Sequence, residues 1–295
     1  MLEMTDREKF LFDLQGFLHI KDFLTSEEVK GLNDAVNANA VPMEEYEWTG
    51  PSTYAGGMHG EYNIRSLHNM LTWDQPWCQP FRDLLAHPKL VPYMNTLFGR
   101  GWRCEGEPNL ILARKGCGGH GLHGFTSRQH DGAQHYTYNN EQFRSGMTVV
   151  QYQLHDIEEG MGGVTVVPGS HKANFKCPED IMLHEANQEA VRNIGCKAGD
   201  VVIFMEATIH GSLPWNADWE RRSLLYRYSP KFCSFSQGIC ETEMPAWYDE
   251  LTEVQKAVLE PPYVYSRPLI EDDVETLVTP RNEPKDHIPR KRYEY

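Results

Sequence analysis

The sequence is short of three things, and each shortage closes off a class of protein. No apolar run among its 295 residues approaches the roughly 20 residues that a membrane-spanning helix requires. Cysteine is sparse and unpaired in pattern: the seven residues, at 78, 104, 117, 177, 196, 233 and 240, are odd in number and form no CxxC. That argues against a disulfide framework and against a zinc cluster, and reduced thiols used mainly for packing are expected. Positive charge is also scarce, with 28 Lys and Arg against 42 Asp and Glu and a formal net charge of -14. Such a balance repels phosphodiester backbones, and the only dense basic run, PRKRY at 289–293, lies at the C-terminal end, so nucleic acid is not an expected partner. The opening MLEMTDREKFLF carries charges where an export signal needs an unbroken apolar core, which makes a cytoplasmic location the expectation.

What is present is ordinary for a globular chain: 40% hydrophobic, 11% aromatic and 24% charged residues. A strand-like GFLHI is followed by Thr25 and Glu28, spaced as a capping box that opens an amphipathic helix with Val29, Leu32 and Val36 on one face. A second helix is expected from about 80 to 99, ending at Gly99. From about 107 the texture changes to short β-type runs separated by turns: NLILAR (109–114), MTVVQYQL (147–154), GVTVVPG (163–169), DVVIFM (200–205) and RSLLYRYS (222–229). These predict an antiparallel sheet pair, a sandwich or barrel, with helices packed against it in one domain spanning 1–295. Its expected parts are a helical portion at about 1–106, a β core at about 107–235, and a C-terminal helix, AWYDELTEVQKAVLE, with a tail at about 236–295.

The chemistry-bearing residues cluster. GHGLHGFTSRQHDGAQHY, residues 119–136, holds His120, His123, His130, His135 and Asp131 among glycines. Imidazole is the commonest metal ligand, and two imidazoles with one carboxylate on one face of a metal leave the other face free for substrate and oxygen. A distant ligand is available in DVVIFMEATIHGS, where a strand runs into Glu206 and then His210. Eleven residues after His210 come Arg221 and Arg222, opening the next strand. A guanidinium there can hold a carboxylate-bearing cosubstrate in a bidentate pair, which a lysine cannot. Because strand side chains alternate, only one of the two arginines can face such a site.

GFLHIKDFLTSEEV, GVTVVPGSHK (163–172), KAGDVVIF (197–204), HGS (210–212) and RRSLLYRY (221–228), taken in order, resemble the phytanoyl-CoA dioxygenase family of Fe(II)/2-oxoglutarate oxygenases, over about residues 10–235. The resemblance implies a double-stranded β-helix, a jelly roll whose mouth holds iron. It also implies an HxD pair and a later histidine as ligands, with an arginine gripping 2-oxoglutarate. Carried over, His210 is the distal ligand, Arg221 the 2-oxoglutarate anchor with Arg222 as alternative, and Ser212 a supporting hydroxyl. His123 matches the first histidine, with His130 as the alternative register. No HxD occurs in 119–136, because Phe125 stands where the carboxylate belongs. Asp131 ranks first as its replacement, a vacant position second and Glu206 third. Gln151 joins Ser212 and Arg221 among the cofactor-binding candidates, with pairing inside the sheet as its competing reading. His171 in PGSHK reads as structural, bonding backbone groups at the Pro168–Gly169 turn.

The resemblance further implies Fe(II), 2-oxoglutarate and O2, with ascorbate as an accessory reductant. The implied reaction is decarboxylation of 2-oxoglutarate to succinate coupled to hydroxylation of a small or medium organic metabolite. Two rival readings come from the missing HxD: a halogenase-like enzyme with halide in the carboxylate's place, and a non-catalytic jelly roll that binds a small carboxylate through Arg221. Residues 42–76 read as an irregular segment shaping the entrance.

Overall fold

The computed structural model describes residues 4–124, 134–185, 189–235 and 246–279. Helix α1 (Asp6–Gln15) opens on a reciprocal capping box between Thr5 and Glu8 and stops at Gly16, whose φ of 82° is the left-handed helix-ending conformation. Strand β1 (Phe17–Ile20) follows, and then α2 (Ser26–Asn39), which uses the Thr25/Glu28 box expected from the sequence. After β2 (Arg65–Leu67), the single helix expected over 80–99 proves to be two, α3 (Gln79–Leu84) and α4 (Val91–Phe98). The break falls at His87–Pro88, where proline disfavours a helical residue before it and the amide groups of Leu90 and Val91 donate to the carbonyl of His87.

The β elements are β3 (Arg103–Cys104), β4 (Asn109–Ala113), β5 (His120–His123), β6 (Tyr136–Asn139), β7 (Gln142–Ser145), β8 (Thr148–Gln153), β9 (Gly163–Val166), β10 (Arg192–Asn193), β11 (Val201–Met205), β12 (His210–Leu213) and β13 (Arg221–Ser229). A short α5 (Glu179–Met182) precedes β10. The expected C-terminal helix is also split: a 3-10 turn over Ala246–Glu250 stops, and Thr252 re-caps the chain to start α6 (Glu253–Leu259). A small hairpin, β14 (Leu269–Ile270) and β15 (Leu277–Val278), lies beyond it.

Two antiparallel sheets form the core. The larger runs β1-β11-β8-β13-β4-β2, with β3 also on β13; the smaller runs β10-β9-β12-β5. Their face-to-face stacking is the double-stranded β-helix, and β1, the expected strand GFLHI, and β2, from the stretch expected to be irregular, are the two edges of the larger sheet. Alternation along the central strands sorts residues to two cores. Val150, Tyr152, Val201, Ile203, Leu224 and Tyr226 face the helices, and the same cluster takes in Phe12, Leu32, Leu97 and Val258. Val149, Val202, Phe204 and Leu225 face the other way, meeting Val164, Val166 and Ile194 between the sheets. The tyrosines on the helical side complete their burial by donating to helix-end carbonyls, Tyr226 to Phe81 at 2.7 Å and Tyr228 to Leu84 at 3.1 Å.

His171 is fully buried and packs at 4.9 Å against Tyr136, which bonds Asp13 of α1. Its Nε2–H donates to the carbonyl of Asp13 at 3.0 Å, so the ring pins α1 to the smaller sheet, as its structural reading anticipated. The bond reaches another segment rather than the histidine's own turn. Burial pushes the His171 pKa down to about 4. The folded protein therefore stays unprotonated there while the unfolded chain takes up a proton below about 6.5, and this contribution to stability, complete at neutral pH, is lost as pH falls toward 4. Urea unfolding of the metal-free protein should weaken over that interval, and His171→Asn should flatten the dependence by up to about 1.4 kcal/mol per pH unit. Identical slopes for the two proteins would show that the ring is hydrated.

Candidate active site

β5, expected to be part of a glycine-rich loop, is a strand, and its pairing with β12 builds the site. The register sets His123 opposite His210 and Ser212 opposite His120, with an irregularity between them. Small residues permit this approach: a Cβ on Gly211 would lie 2.5 Å from the His120 carbonyl oxygen. At Gly124 the constraint is tighter, since a side chain there would meet the carbonyl oxygens of Thr208 at 2.6 Å and Glu206 at 2.7 Å, and its φ is +102°. The chain leaving His123 is thus pressed onto the turn that carries Glu206. Thr208 closes that turn, its amide donating to Met205 and its hydroxyl to Gly16.

Both imidazoles are oriented by backbone. His210 Nδ1–H donates to the Thr208 carbonyl at 2.7 Å and His123 Nδ1–H to Gly121 at 2.9 Å, which turns both Nε2 lone pairs outward. Phe204 buttresses the His210 ring at 4.6 Å, and the His123 and His210 rings are 4.2 Å apart. Glu206 faces both, its carboxylate 4.0 Å from His123 Nε2 and 3.8 Å from His210 Nε2. These spacings are too long for hydrogen bonds. They suit ligands of one ion, because two atoms each about 2.1 Å from a metal are separated by about 3 to 4 Å. The three ligand atoms lie within 4.8 Å of one another, so closing on an ion needs a contraction of about 1 Å. Burial, followed by the neighbouring His123, holds His210 well below the usual imidazole range and therefore neutral, the form that binds metal.

These residues line a cavity of about 820 Å³ between the sheets. Arg221 is buried in its wall, with Nε–H donating to Ser223 at 2.9 Å while Ser223 donates to Gln153 at 2.8 Å. Its two terminal nitrogens have no partner among the described residues, and burial pushes its pKa down to about 10, where it remains a cation. Arg222 points to the opposite face and ties α2 to the sheet through Asn33 at 2.9 Å and Asn37 at 2.8 Å, with Glu220 at 2.7 Å. The alternation argument thus selects Arg221 for the cavity. Gln151 is buried in the same wall. Ser212 lines it too, but its hydroxyl accepts from the His120 amide at 3.1 Å and so also fastens β12 to β5.

Asp131, His130 and Phe125 lie outside the described residues. His120 of the same cluster is in the cavity wall, its ring tilted against Tyr54 at 4.8 Å, and burial pushes its pKa down to about 4. Ile64, Ser66 and Leu71 bring the irregular 42–76 segment to the cavity as expected, and Trp247 and Leu259 close it from the C-terminal part. Arg227, Glu105, Glu107 and Asn109 also line it, although the sequence reading singled out none of them. Period-two alternation from Arg221 would have found Arg227.

Gly124→Ala should cost about 2 kcal/mol in urea unfolding, combining backbone strain with the clash. Gly160, at φ +85° with nothing within 4 Å of a built Cβ, provides the control for strain alone. Gly160→Ala should cost only about 1 kcal/mol. Equal losses would mean that the turn yields and the apposition of β5 to residues 206–208 is not constrained.

The family model for phytanoyl-CoA dioxygenase matches residues 12–223. No curated protein matches the chain by sequence. Among solved structures the chain is similar to HygX from Streptomyces hygroscopicus, described with nickel, 2-oxoglutarate and hygromycin B bound, at 20% identity and a TM-score of 0.63, covering 78% of this chain and 89% of that one. It is also similar to EctD from S. alaskensis with 2-oxoglutarate and 5-hydroxyectoine, at 19% identity and a TM-score of 0.56, covering 77% and 76%. At such identities these likenesses speak for the fold, and no helix among the described residues is long and apolar enough to cross a membrane. By its family match over most of its length, the chain belongs to the phytanoyl-CoA dioxygenase family and is an Fe(II)/2-oxoglutarate-dependent oxygenase built on the double-stranded β-helix.

Proposed function

We propose that this cavity hydroxylates a small or medium-sized organic molecule, with His123, His210 and Glu206 holding the iron and Arg221 holding the far carboxylate of 2-oxoglutarate. The observation that carries this reading is the convergence of two outward-facing Nε2 lone pairs and a carboxylate in a buried cavity that also presents a guanidinium with free terminal nitrogens. The donor set fits the metal: two imidazoles and one carboxylate on one side is the arrangement of non-haem iron oxygenases. Bound iron with 2-oxoglutarate supplies the oxidising chemistry. The chain's own residues orient and exclude. Thr208 and Gly121 fix the imidazole tautomers, and Ser223 steadies Arg221 so that its two remaining arms can form a bidentate pair. Gln151 and Ser212 supply polar contacts beside it, while Phe204 and Leu225 keep the wall dry.

Glu206 takes the place of the family's HxD carboxylate in this reading because it is the described carboxylate that faces both imidazoles. Asp131 is the alternative, and one titration separates them. Under anaerobic conditions, Fe(II) and 2-oxoglutarate together should develop a weak visible charge-transfer band. Arg221→Gln should lower 2-oxoglutarate affinity at least tenfold. Glu206→Gln should weaken manganous-ion binding by a similar factor while Asp131→Asn leaves it near the parent value. The opposite pattern would move the carboxylate to Asp131. If neither variant affected binding, the position is open, as in the halogenase-like reading, and product analysis with and without chloride would then decide the reaction.

A further inference from the structure

β13 places a second arginine in the cavity. Arg221, Leu225 and Arg227 share its inward face, and the register sets Arg227 beside Val149, next to Phe204 on the following strand. Six residues of strand separate the two guanidinium-bearing positions, roughly 20 Å between Cα atoms. Arg221 packs beside Ile157 and Gly163 at one end of the strand's cavity face, whereas Arg227 neighbours Glu105 at the other. Half-buried, Arg227 makes no side-chain hydrogen bond or ion pair among the described residues.

The nearby acids do not pair with it. Glu105 is held by Arg103 at 2.8 Å and accepts from the Phe235 amide at 3.0 Å, and the charged neighbour of Glu107 is Arg82. A ferrous ion with Arg221 matches the charge of Glu206 with the 2-oxoglutarate dianion, and Arg227, in ion pair with neither Glu105 nor Glu107, keeps its guanidinium available in a largely apolar chamber. An unpaired charge in such surroundings is costly unless a ligand answers it. Nearby, Oδ1 of Asn109 is buried without a partner and can accept from a hydroxyl or ammonium group.

We propose that Arg227 is a substrate-binding residue, and that the substrate is an organic anion, bearing a carboxylate or phosphate, which this guanidinium receives at the end of β13 away from Arg221. The proposal rests on the reading above in giving Arg221 to 2-oxoglutarate. The carbon body of the substrate then lies along Leu71, Trp247 and Leu259, which form the apolar wall at that end.

Benzoate and inorganic phosphate serve as probes, with benzyl alcohol as the uncharged control, binding to protein loaded with manganous ion and 2-oxoglutarate and followed by calorimetry. Benzoate or phosphate should bind the parent protein, and the one that binds more tightly identifies the anion. Arg227→Gln should weaken that probe at least tenfold, Arg227→Lys should recover part of the loss, and benzyl alcohol should be unaffected. Affinity for 2-oxoglutarate should change less than threefold in Arg227→Gln but collapse in Arg221→Gln. Circular dichroism and melting temperature should match the parent, because the Arg227 side chain makes no hydrogen bond or ion pair among the described residues. The proposal is overturned if neither anion binds, if Arg227→Gln binds it as well as the parent, or if 2-oxoglutarate depends on Arg227 instead of Arg221. Failure of manganous ion and 2-oxoglutarate to bind the parent protein would count against the oxygenase reading itself. The probes would then be read on the unloaded protein, where the same loss in Arg227→Gln still decides the anion site.

Discussion

The close approach of β5 to β12 is the constraint on which the site depends. It is a backbone contact, made where glycines leave no Cβ between the strands, and Gly124 then lies against the carbonyls of residues 206 and 208. From this contact follow the pairing of His123 with His210, the facing position of Glu206 and the carbonyl bonds that set both tautomers. The placement of these three side chains is therefore a property of main-chain packing. The side chains only need to be the right type once the backbone has converged.

A second device, alternation, separates stability from binding along one strand. On β13, Arg222, Leu224, Tyr226 and Tyr228 face the helices, where they fill the larger core or reach α2 and the end of α3. Arg221, Ser223, Leu225 and Arg227 face the opposite way. Two adjacent arginines of identical chemistry consequently do different work. One neutralises Glu220 and binds asparagines of α2; the other keeps its terminal nitrogens toward the cavity.

This explains what was legible in the sequence. The strands of the core and the α2 capping box follow from local period and spacing, which are written in contiguous residues, as does the rule that only one of Arg221 and Arg222 faces the cavity; the roles given to His210 and Arg221 came from the family resemblance. β5 was not legible, because GHGLHG has the composition of a loop; it becomes a strand through its partner, and its glycines are selected by an approach that is long-range in sequence. Glu206 ranked third in the sequence reading; four residues before His210, it can face the two imidazoles only if the intervening chain turns, as the Met205–Thr208 bond makes it do. The breaks in the helices at His87–Pro88 and before Thr252 were visible as a proline and a capping residue, but the apolar periodicity runs through both and masks them.

Overall acidity also misleads about the interior. A net charge of -14 governs how the protein meets other macromolecules through solvent, where screening acts over about 8 to 10 Å. Within the cavity the field is set by groups a few ångströms away in a poorly screening medium. The buried pair of Arg103 and Glu105 cancels itself, and Arg103 is further satisfied by carbonyls of Cys233 and Glu260. What remains at the walls is cationic, from Arg221 and Arg227, against the carboxylates of Glu206 and Glu107. In a chain that repels anions at a distance, two cavity-facing guanidiniums thus set a local field of the opposite sign, and they contribute only a small part of the composition from which the opposite conclusion would be drawn.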